Sequence, residues 1–281
     1  MKSPVLSILF LLISVTLLAV PNDFRFRHFS VEDGLSSNSV RAIMQDKYGF
    51  LWIGTEEGLN RYDGIMIKSY SICPQAAGKY ISSLYGTKKN IWIGTDEGIY
   101  IYAYATETFT YFDLTTPNNV RITSIVNHIL QDKDGNLWFS TNGQGLFRYN
   151  LSKNYLEQYE FTSAFGIVAS TMADSDNQIW ALTNQGESGV YKLNKAENKF
   201  EPFGLLYNAG NHHSQALAML EDSEQTLWLG TWECGLQKID KYTRQTTTYL
   251  HPTDGKGVTH IHSLMEYAPH QLLIGSDDGL L

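Results

Sequence analysis

The 281-residue sequence is poor in the features that mark several classes of protein. Lys and Arg number 21 against 29 Asp and Glu, which gives a net charge of −8. A nucleic-acid-binding surface needs basic side chains to neutralise phosphates, so this charge argues against nucleic acid as a partner. The sequence has only two cysteines, Cys73 and Cys234. Nothing in their spacing supports a pair, and we expect no disulfide.

Signatures of catalysis and of metal binding are also scarce. The sequence contains no G-x-S-x-G elbow, no H-E-x-x-H, no Walker sequence and no G-x-G-x-x-G after a strand. The DKDGN stretch at 132–136 begins like a calcium loop but lacks the remaining oxygen ligands, so we interpret it as a turn. His260 and His262 would point to one side of a strand, yet no third zinc ligand is identifiable. We therefore predict no metal and no cofactor.

A long apolar stretch occurs only at the N-terminus. It runs from Val5 to Val20, follows Lys2 and is closed by Pro21, which is the layout of a secretory signal. The stretch is short for a membrane span of about 20 residues. We predict that residues 1–21 are a signal peptide or N-terminal anchor, that the chain is exported to the periplasm, and that residues 22–281 form one domain.

What the sequence has in abundance is a repeat with a period of 40 to 48 residues. The copies align on an apolar anchor: Trp52, Trp92, Trp138, Trp180, Trp228 and Leu273. Three residues after the anchor stands a hydroxyl: Thr55, Thr95, Thr141, Thr183, Thr231 and Ser276. Eight residues before it stands an apolar side chain: Met44, Leu84, Leu130, Met172, Leu220 and Met265. Ten before it the residue is small, with one exception: Ala42, Ser82, His128, Ser170, Ala218 and Ser263.

Each copy holds four short strand-like pieces separated by turn residues, which is typical of a β-propeller blade. The small residues fit an innermost strand near the axis, and the anchors fit packing between blades. A glycine between the second and third pieces, such as Gly58 or Gly98, would supply a positive φ. We predict an all-β propeller with five complete blades and a sixth that stops at Leu281 as its third strand begins.

Residues 26–64, FRHFSVEDGLSSNSVRAIMQDKYGFLWIGTEEGLNRYDG, resemble the two-component regulator propeller repeats of periplasmic sensors in hybrid two-component systems of Bacteroidetes type. The resemblance extends over essentially everything after Pro21. It implies a seven-bladed ring, in which residues 24–30 supply the outer strand of the last blade, and it implies that this chain is a fragment of such a ring.

The resemblance also implies a function. In that family the propellers precede a membrane span, a histidine kinase, a receiver and a DNA-binding domain, and the sensor reads a carbohydrate fragment. We expect a non-catalytic sensing segment whose partners are an oligosaccharide, the remaining blades and domains of the parent sensor, and a second copy in a homodimer. No kinase sequence is present in these 281 residues.

The residues that could meet a ligand lie in the turns between second and third strands and in the connections between blades, which emerge on one face. The candidates are Glu57, Asp96, Asn142, Gln144, Glu187, His212, Trp232 and Glu233. Trp232 occupies a place filled elsewhere by acids or amides, and could be a platform for a sugar ring. The alternative is that acidic turns serve solubility and Trp232 packs against a neighbouring blade. His128 either lines a central channel or is a packed core histidine.

Two other functions remain open at this stage. One is an exported propeller enzyme, such as a lyase of the streptogramin-lyase type or a glycan-active enzyme, with His212, His213 or Glu233 as acid or base. The other is a protein-binding scaffold. Neither has a diagnostic residue spacing in this sequence.

Overall fold

The computed structural model describes residues 26–73, 79–161, 166–183, 189–204, 215–251, 257–258 and 260–281. The predicted signal or anchor, residues 1–21, and the candidate residues Glu187 and His212 lie outside the described residues. The described chain forms a short 3₁₀ helix, Val31–Asp33, and six antiparallel sheets.

Each sheet is one blade, and its strands pair in chain order. Blade one contains β1 Val40–Gln45, β2 Leu51–Thr55, β3 Gly58–Tyr62 and β4 Ile67–Tyr70. Blade two contains β5 Ile81–Gly86, β6 Asn90–Thr95, β7 Gly98–Ala103 and β8 Thr108–Tyr111. Blade three contains β9 Val126–Gln131, β10 Leu137–Thr141, β11 Leu146–Asn150 and β12 Tyr155–Tyr159.

The second half of the chain repeats this pattern. Blade four contains β13 Val168–Ala173, β14 Ile179–Thr183, β15 Val190–Asn194 and β16 Lys199–Pro202. Blade five contains β17 Ala216–Glu221, β18 Leu227–Thr231, β19 Leu236–Ile239 and β20 Thr246–Tyr249. Blade six has three strands, β21 Ile261–Ala268, β22 Gln271–Ser276 and β23 Gly279–Leu280. The prediction of a propeller with five complete blades and a partial sixth is therefore confirmed.

The blades are arranged as an open arc around the first strand of each. Successive first strands pack against one another from β1 through β5, β9, β13 and β17 to β21, whereas β1 and β21 share no comparable packing. The two end blades expose the sides that have no neighbour. Ile43 in β1 is 65% exposed, while its counterpart in blade three, Ile129, is 3% exposed. A closed ring of seven blades stays a prediction.

Four tryptophan anchors are buried between blades and Trp228 is partly buried, and all but Trp92 are held by a hydrogen bond that was not predicted from the repeat. The indole N–H of Trp138 donates to Asp132 at 2.7 Å, and the same carboxylate accepts the backbone N–H groups of Asp134 and Asn136. One aspartate thus closes the turn and satisfies a buried indole. The same pairing joins Trp52 to Asp46, Trp180 to Asp174 and Trp228 to Asp222. The DKDGN stretch is accordingly a turn.

In blade two the tryptophan anchor has no aspartate partner, and the strand register differs from the one that the sequence alignment implies. Tyr85, rather than Leu84, lies opposite Trp92, and Ser83, rather than Ser82, lies opposite Gly94. The turn after β5 is one residue shorter than its counterparts and begins with Thr87 in place of aspartate. The indole N–H of Trp92 is buried with no hydrogen-bond partner.

The recurring hydroxyl and glycine close the turn between the second and third strands. Thr141 donates from Oγ1 to the carbonyl of Gly145 at 2.6 Å and accepts the N–H of Gln144. Gly145 has a φ of +76°, as predicted for this position. Equivalent hydroxyl bonds are made by Thr55, Thr95, Thr231 and Ser276.

His128 is a packed histidine at the junction of two innermost strands. Its ring is largely buried, and Nδ1 accepts the backbone N–H of Thr171 in the next blade at 3.4 Å. Burial lowers the pKa of His128 to about 4. The imidazole is therefore neutral at physiological pH and links blade three to blade four.

The N-terminal segment differs from the outer strand that the resemblance implied. Residues 26–30 form no strand, and Phe24 lies outside the described residues. Arg27 instead donates to the hydroxyl of Tyr62 at 2.7 Å, and Phe29 packs on the Tyr62 ring. This segment therefore contacts the end of β3. Cys73 and Cys234 are both described, and no disulfide joins them.

Candidate functional site

Strand order places the predicted candidate turns on one face of the arc. The start of β1 lies opposite the end of β2, and the end of β2 lies opposite the start of β3, so that Val40, Thr55 and Gly58 are at one edge. The same register recurs in every blade with a described turn. We call this edge the turn face, formed by residues 56–57, 96–97, 142–144, 232–234 and 277–278.

In blades one and two, one acid of each turn is engaged with a cation and the other faces solvent. Glu56 pairs with Arg41, and Glu97 pairs with Lys79. Hydrogen bonding from Arg41 lowers the pKa of Glu56. The predicted residues Glu57 and Asp96, the second turn residue of blade one and the first of blade two, are exposed, and both carboxylates are accessible to a ligand.

In blade three, the two predicted amides have different surroundings. Gln144 accepts the N–H groups of Thr123 and Ser124 at 2.9 and 3.0 Å and donates to the carbonyl of Arg121 at 2.9 Å. This amide holds the connection between blades two and three, so ligand binding would have to replace three hydrogen bonds. Asn142 uses its backbone to bridge to Ile167 of blade four, and its side chain is exposed.

Trp232 is the centre of a side-chain cluster that joins blades five and six. Its ring is 40% exposed and stacks on His260 with centroids 3.9 Å apart and an interplanar angle of 33°. His262 approaches the same indole edge-on at 6.5 Å. We call Trp232, His260, His262 and Asp277 the Trp232 cluster.

Asp277 connects the two imidazoles of this cluster. Oδ2 contacts Nδ1 of His260, and Oδ1 lies 2.7 Å from Nε2 of His262. Hydrogen bonds first from His260 and then from His262 hold the pKa of the Asp277 carboxyl below its ordinary value. Asp277 is therefore an anion at neutral pH and accepts from both rings. From the sequence, His260 and His262 were considered only as a possible pair of zinc ligands, and neither was placed beside Trp232.

The Trp232 cluster occupies positions that recur from blade to blade, but the combination of residue types at these positions differs from those in the other blades. His262 is the bulged residue of β21, between Ile261 and Ser263. Asp277 is the first residue of the turn between β22 and β23. In blade one these two places hold Arg41 and Glu56, which form an ion pair. A β-bulge changes the direction of a side chain. Here the bulges direct Arg41 and His262 towards the turn between the second and third strands of their own blades.

The remaining candidate side chains on or near the turn face are exposed, paired with another side chain, or outside the described residues. Glu233 follows Trp232 and is exposed. Arg121, in a connection between blades, pairs with Asp113 at 2.7 Å. Glu187, His212 and His213 are outside the described residues. Within the described ranges, no group of three or more His, Cys, Asp or Glu side chains is arranged to hold a metal ion.

Sequence comparison identifies the repeat. The sequence model of the two-component regulator propeller family matches residues 34–57 and 120–143, which cover the first two strands of blades one and three. The chain contains two-component regulator propeller repeats. A curated relative, histidine kinase P4 of Formosa agariphila, is 46% identical over 68 residues, which are 24% of this chain and 5% of that protein.

Solved structures support the same architecture for these repeats. The extracellular domain of a hybrid two-component system from B. thetaiotaomicron superposes with a TM-score of 0.74 at 24% identity, covering 90% of this chain and 34% of that one. A virginiamycin B lyase from Staphylococcus aureus superposes with a TM-score of 0.66 at 16% identity, covering 84% of this chain and 77% of the lyase. At these identities the likeness establishes the fold alone. Among the residues described, none belongs to a helix with the length and apolar character that a membrane crossing requires.

Proposed function

We propose that residues 22–281 are an extracytoplasmic ligand-sensing segment of a two-component regulator, without catalytic activity of their own. The repeat family and the likeness to extracellular domains of hybrid two-component systems support this proposal. In that setting the segment acts together with further domains of a longer sensor, which includes a membrane anchor and a kinase and works as a homodimer.

We further propose that the ligand is an oligosaccharide bound at the turn face. The observation that carries this proposal is Trp232, an exposed aromatic ring fixed beside hydrogen-bonding side chains in a slot that other blades fill with acids or amides. An aromatic face accepts the apolar side of a sugar ring, and carboxylates accept hydrogen bonds from its hydroxyls. Asn142, Glu57 and Asp96 extend the polar surface along the arc.

The charge of the turn face favours an uncharged sugar over an acidic one. The exposed carboxylates Glu57, Asp96, Glu233, Asp277 and Asp278 would repel uronate or sulfate groups. A neutral oligosaccharide keeps these acceptors available for its hydroxyls without that repulsion.

Isothermal titration calorimetry with a library of neutral and acidic oligosaccharides tests the proposal. For any ligand found, we expect Trp232→Ala and Asn142→Ala each to weaken binding about tenfold or more, because each removes a direct contact. Tyr242→Ala is the matched control, since Tyr242 is an 87% exposed aromatic at a turn on the opposite face. Unchanged affinity in both turn-face variants, or a loss only in the Tyr242 variant, would exclude the turn face.

The enzyme alternative has one observation in its favour. His262 and Asp277 form a histidine–carboxylate pair on the surface of a fold that a lyase also uses. If the segment is an enzyme, chromatography will show conversion of a library member to a new product, and His262→Gln will abolish that conversion. Binding without product formation supports the sensor.

A further inference from the structure

At the turn face, the contact between blades five and six involves ionisable side chains, whereas the equivalent contact between blades three and four is a backbone bridge. In blade three the corresponding turn residue, Asn142, reaches the next blade through a backbone bridge to Ile167. Between blades five and six the turn residue is Trp232, and it reaches the next blade by stacking on His260. The charge of this junction therefore depends on pH, because histidine ordinarily changes charge between about pH 5 and 8.

Protonation strengthens both interactions of His260. An imidazolium stacked on an indole gains a cation–π attraction, which the neutral ring lacks. Its hydrogen bond to the Asp277 carboxylate becomes charge-assisted, as does the bond from His262. Asp277 stays ionised throughout this range, since hydrogen bonds from the two imidazoles lower its pKa. Lowering the pH thus adds positive charge to the two imidazoles that already contact the Asp277 carboxylate.

The charged groups around the cluster reinforce this direction. The turn that carries Trp232 also carries Glu233, and the turn that carries Asp277 also carries Asp278; both extra acids are exposed. His260 directly precedes β21, and His262 lies within that strand. Asp277 is the carboxylate that both imidazoles contact, and Glu233 and Asp278 add negative charge to the same two turns.

We propose that the Trp232 cluster is a proton-sensitive clamp, in which protonated His260 and His262 tighten the junction of blades five and six and fix the indole of Trp232. The clamp acts on the three-stranded blade, whose outer side has no neighbouring blade. Its extension to ligand binding rests on the proposed function. If the turn face binds a sugar through Trp232, acid makes that contact tighter because the ring is already ordered.

The test needs no ligand. The protein is labelled with 5-fluorotryptophan, and its six tryptophans are followed by ¹⁹F NMR from pH 5 to 8, with Trp232→Phe assigning the Trp232 resonance. We expect this resonance to shift with one midpoint in that range while the buried anchors stay constant. The titration should disappear in His260→Gln, and in Asp277→Asn its midpoint should fall by about one pH unit.

Controls separate the clamp from general effects. His270→Gln removes an exposed histidine near Glu224 and should leave the titration unchanged. The five anchor resonances report folding in every variant. A Trp232 resonance that is constant from pH 5 to 8, or that still titrates in His260→Gln, overturns the proposal. A shift that appears only on addition of Zn²⁺ and is reversed by EDTA also overturns it, because it assigns a metal site instead. Failure to find a sugar ligand changes none of these outcomes.

Discussion

The aspartates before the tryptophan anchors show how one residue stabilises both a turn and a blade interface. Asp132 accepts two backbone N–H groups of its turn and the buried indole N–H of Trp138. A buried donor without a partner costs about 1–3 kcal/mol. Asp222 does the same in blade five; burial acts to raise its pKa, but hydrogen bonds from Trp228 and the turn outweigh burial and lower it.

Blade two supplies an internal control for the strength of this bond. Trp138→Phe removes the indole N–H and leaves Asp132 with one donor fewer, whereas Trp92→Phe removes an N–H that has no partner. We expect Trp138→Phe to lower the free energy of unfolding by about 1–2 kcal/mol more than Trp92→Phe. Urea denaturation of the two variants measures the difference. Equal losses would show that the aspartate bond contributes nothing beyond packing.

His128 should make stability depend on pH. Its folded-state pKa is lowered to about 4, so between pH 6.5 and 4 the unfolded chain binds the proton more readily. The contribution is complete above pH 6.5 and is lost as pH falls through this window. We expect His128→Asn, whose amide oxygen can still accept from Thr171, to reduce the fall in unfolding free energy from pH 7 to pH 5 by about 1–2 kcal/mol. His270→Gln should show the wild-type pH dependence; the same slope in both variants would contradict the assignment.

At the scale of single residues the sequence allowed roles to be predicted where a position repeats. The glycine with positive φ and the interblade tryptophans were predicted because six and five copies agreed. His128 left two interpretations open because it is the exception at its position. The surroundings of Trp232 were not predicted, since His260, His262 and Asp277 come from two other segments and meet only through the blade register.

At the scale of the strand and turn, the length of the turn between the first two strands of a blade sets the register in which they pair. The sequence alignment grouped Leu84 with Met44 and Leu130, eight residues before the anchor, but the shorter turn at Thr87 places Tyr85 opposite Trp92. Side chains alternate along a strand, so a shift of one residue reverses which face they occupy. Strand identity and order could be predicted from the repeat, but this register depends on a turn whose composition differs from the others.

In blade two the glycine of the second turn is required by space as well as by φ. In Gly98, which has a φ of +115°, an added Cβ would lie 2.6 Å from the Ile122 carbonyl oxygen. Gly64 has a similar φ of +98° but open space around it. We expect Gly98→Ala to destabilise the fold by about 3 kcal/mol and Gly64→Ala by about 1 kcal/mol, because both incur the backbone cost and only the first incurs the overlap. Thermal denaturation compares them, and equal shifts in Tm would refute the role of the close contact.

At the scale of the whole molecule, the arc leaves two blade sides exposed. Blade one presents Ile43 on one side, and blade six presents Met265, which is 54% exposed, on the other. In interior blades the counterparts of these residues pack against a neighbouring sheet. The repeat count predicted the number of blades, but the packing at the two ends depends on what lies next to them in space.

These exposed sides should make residues 22–281 self-associate in solution. Apolar sheet faces without a partner favour association with another copy. We expect sedimentation velocity at micromolar concentration to show oligomers, and the double variant Ile43→Lys, Met265→Lys to move the population towards monomer, because a charge on each side opposes burial. Tyr242→Lys is the control, since it adds the same charge at an aromatic side chain that is 87% exposed. A monomeric wild-type chain, or equal effects of the double variant and the control, would show that the end faces do not drive association.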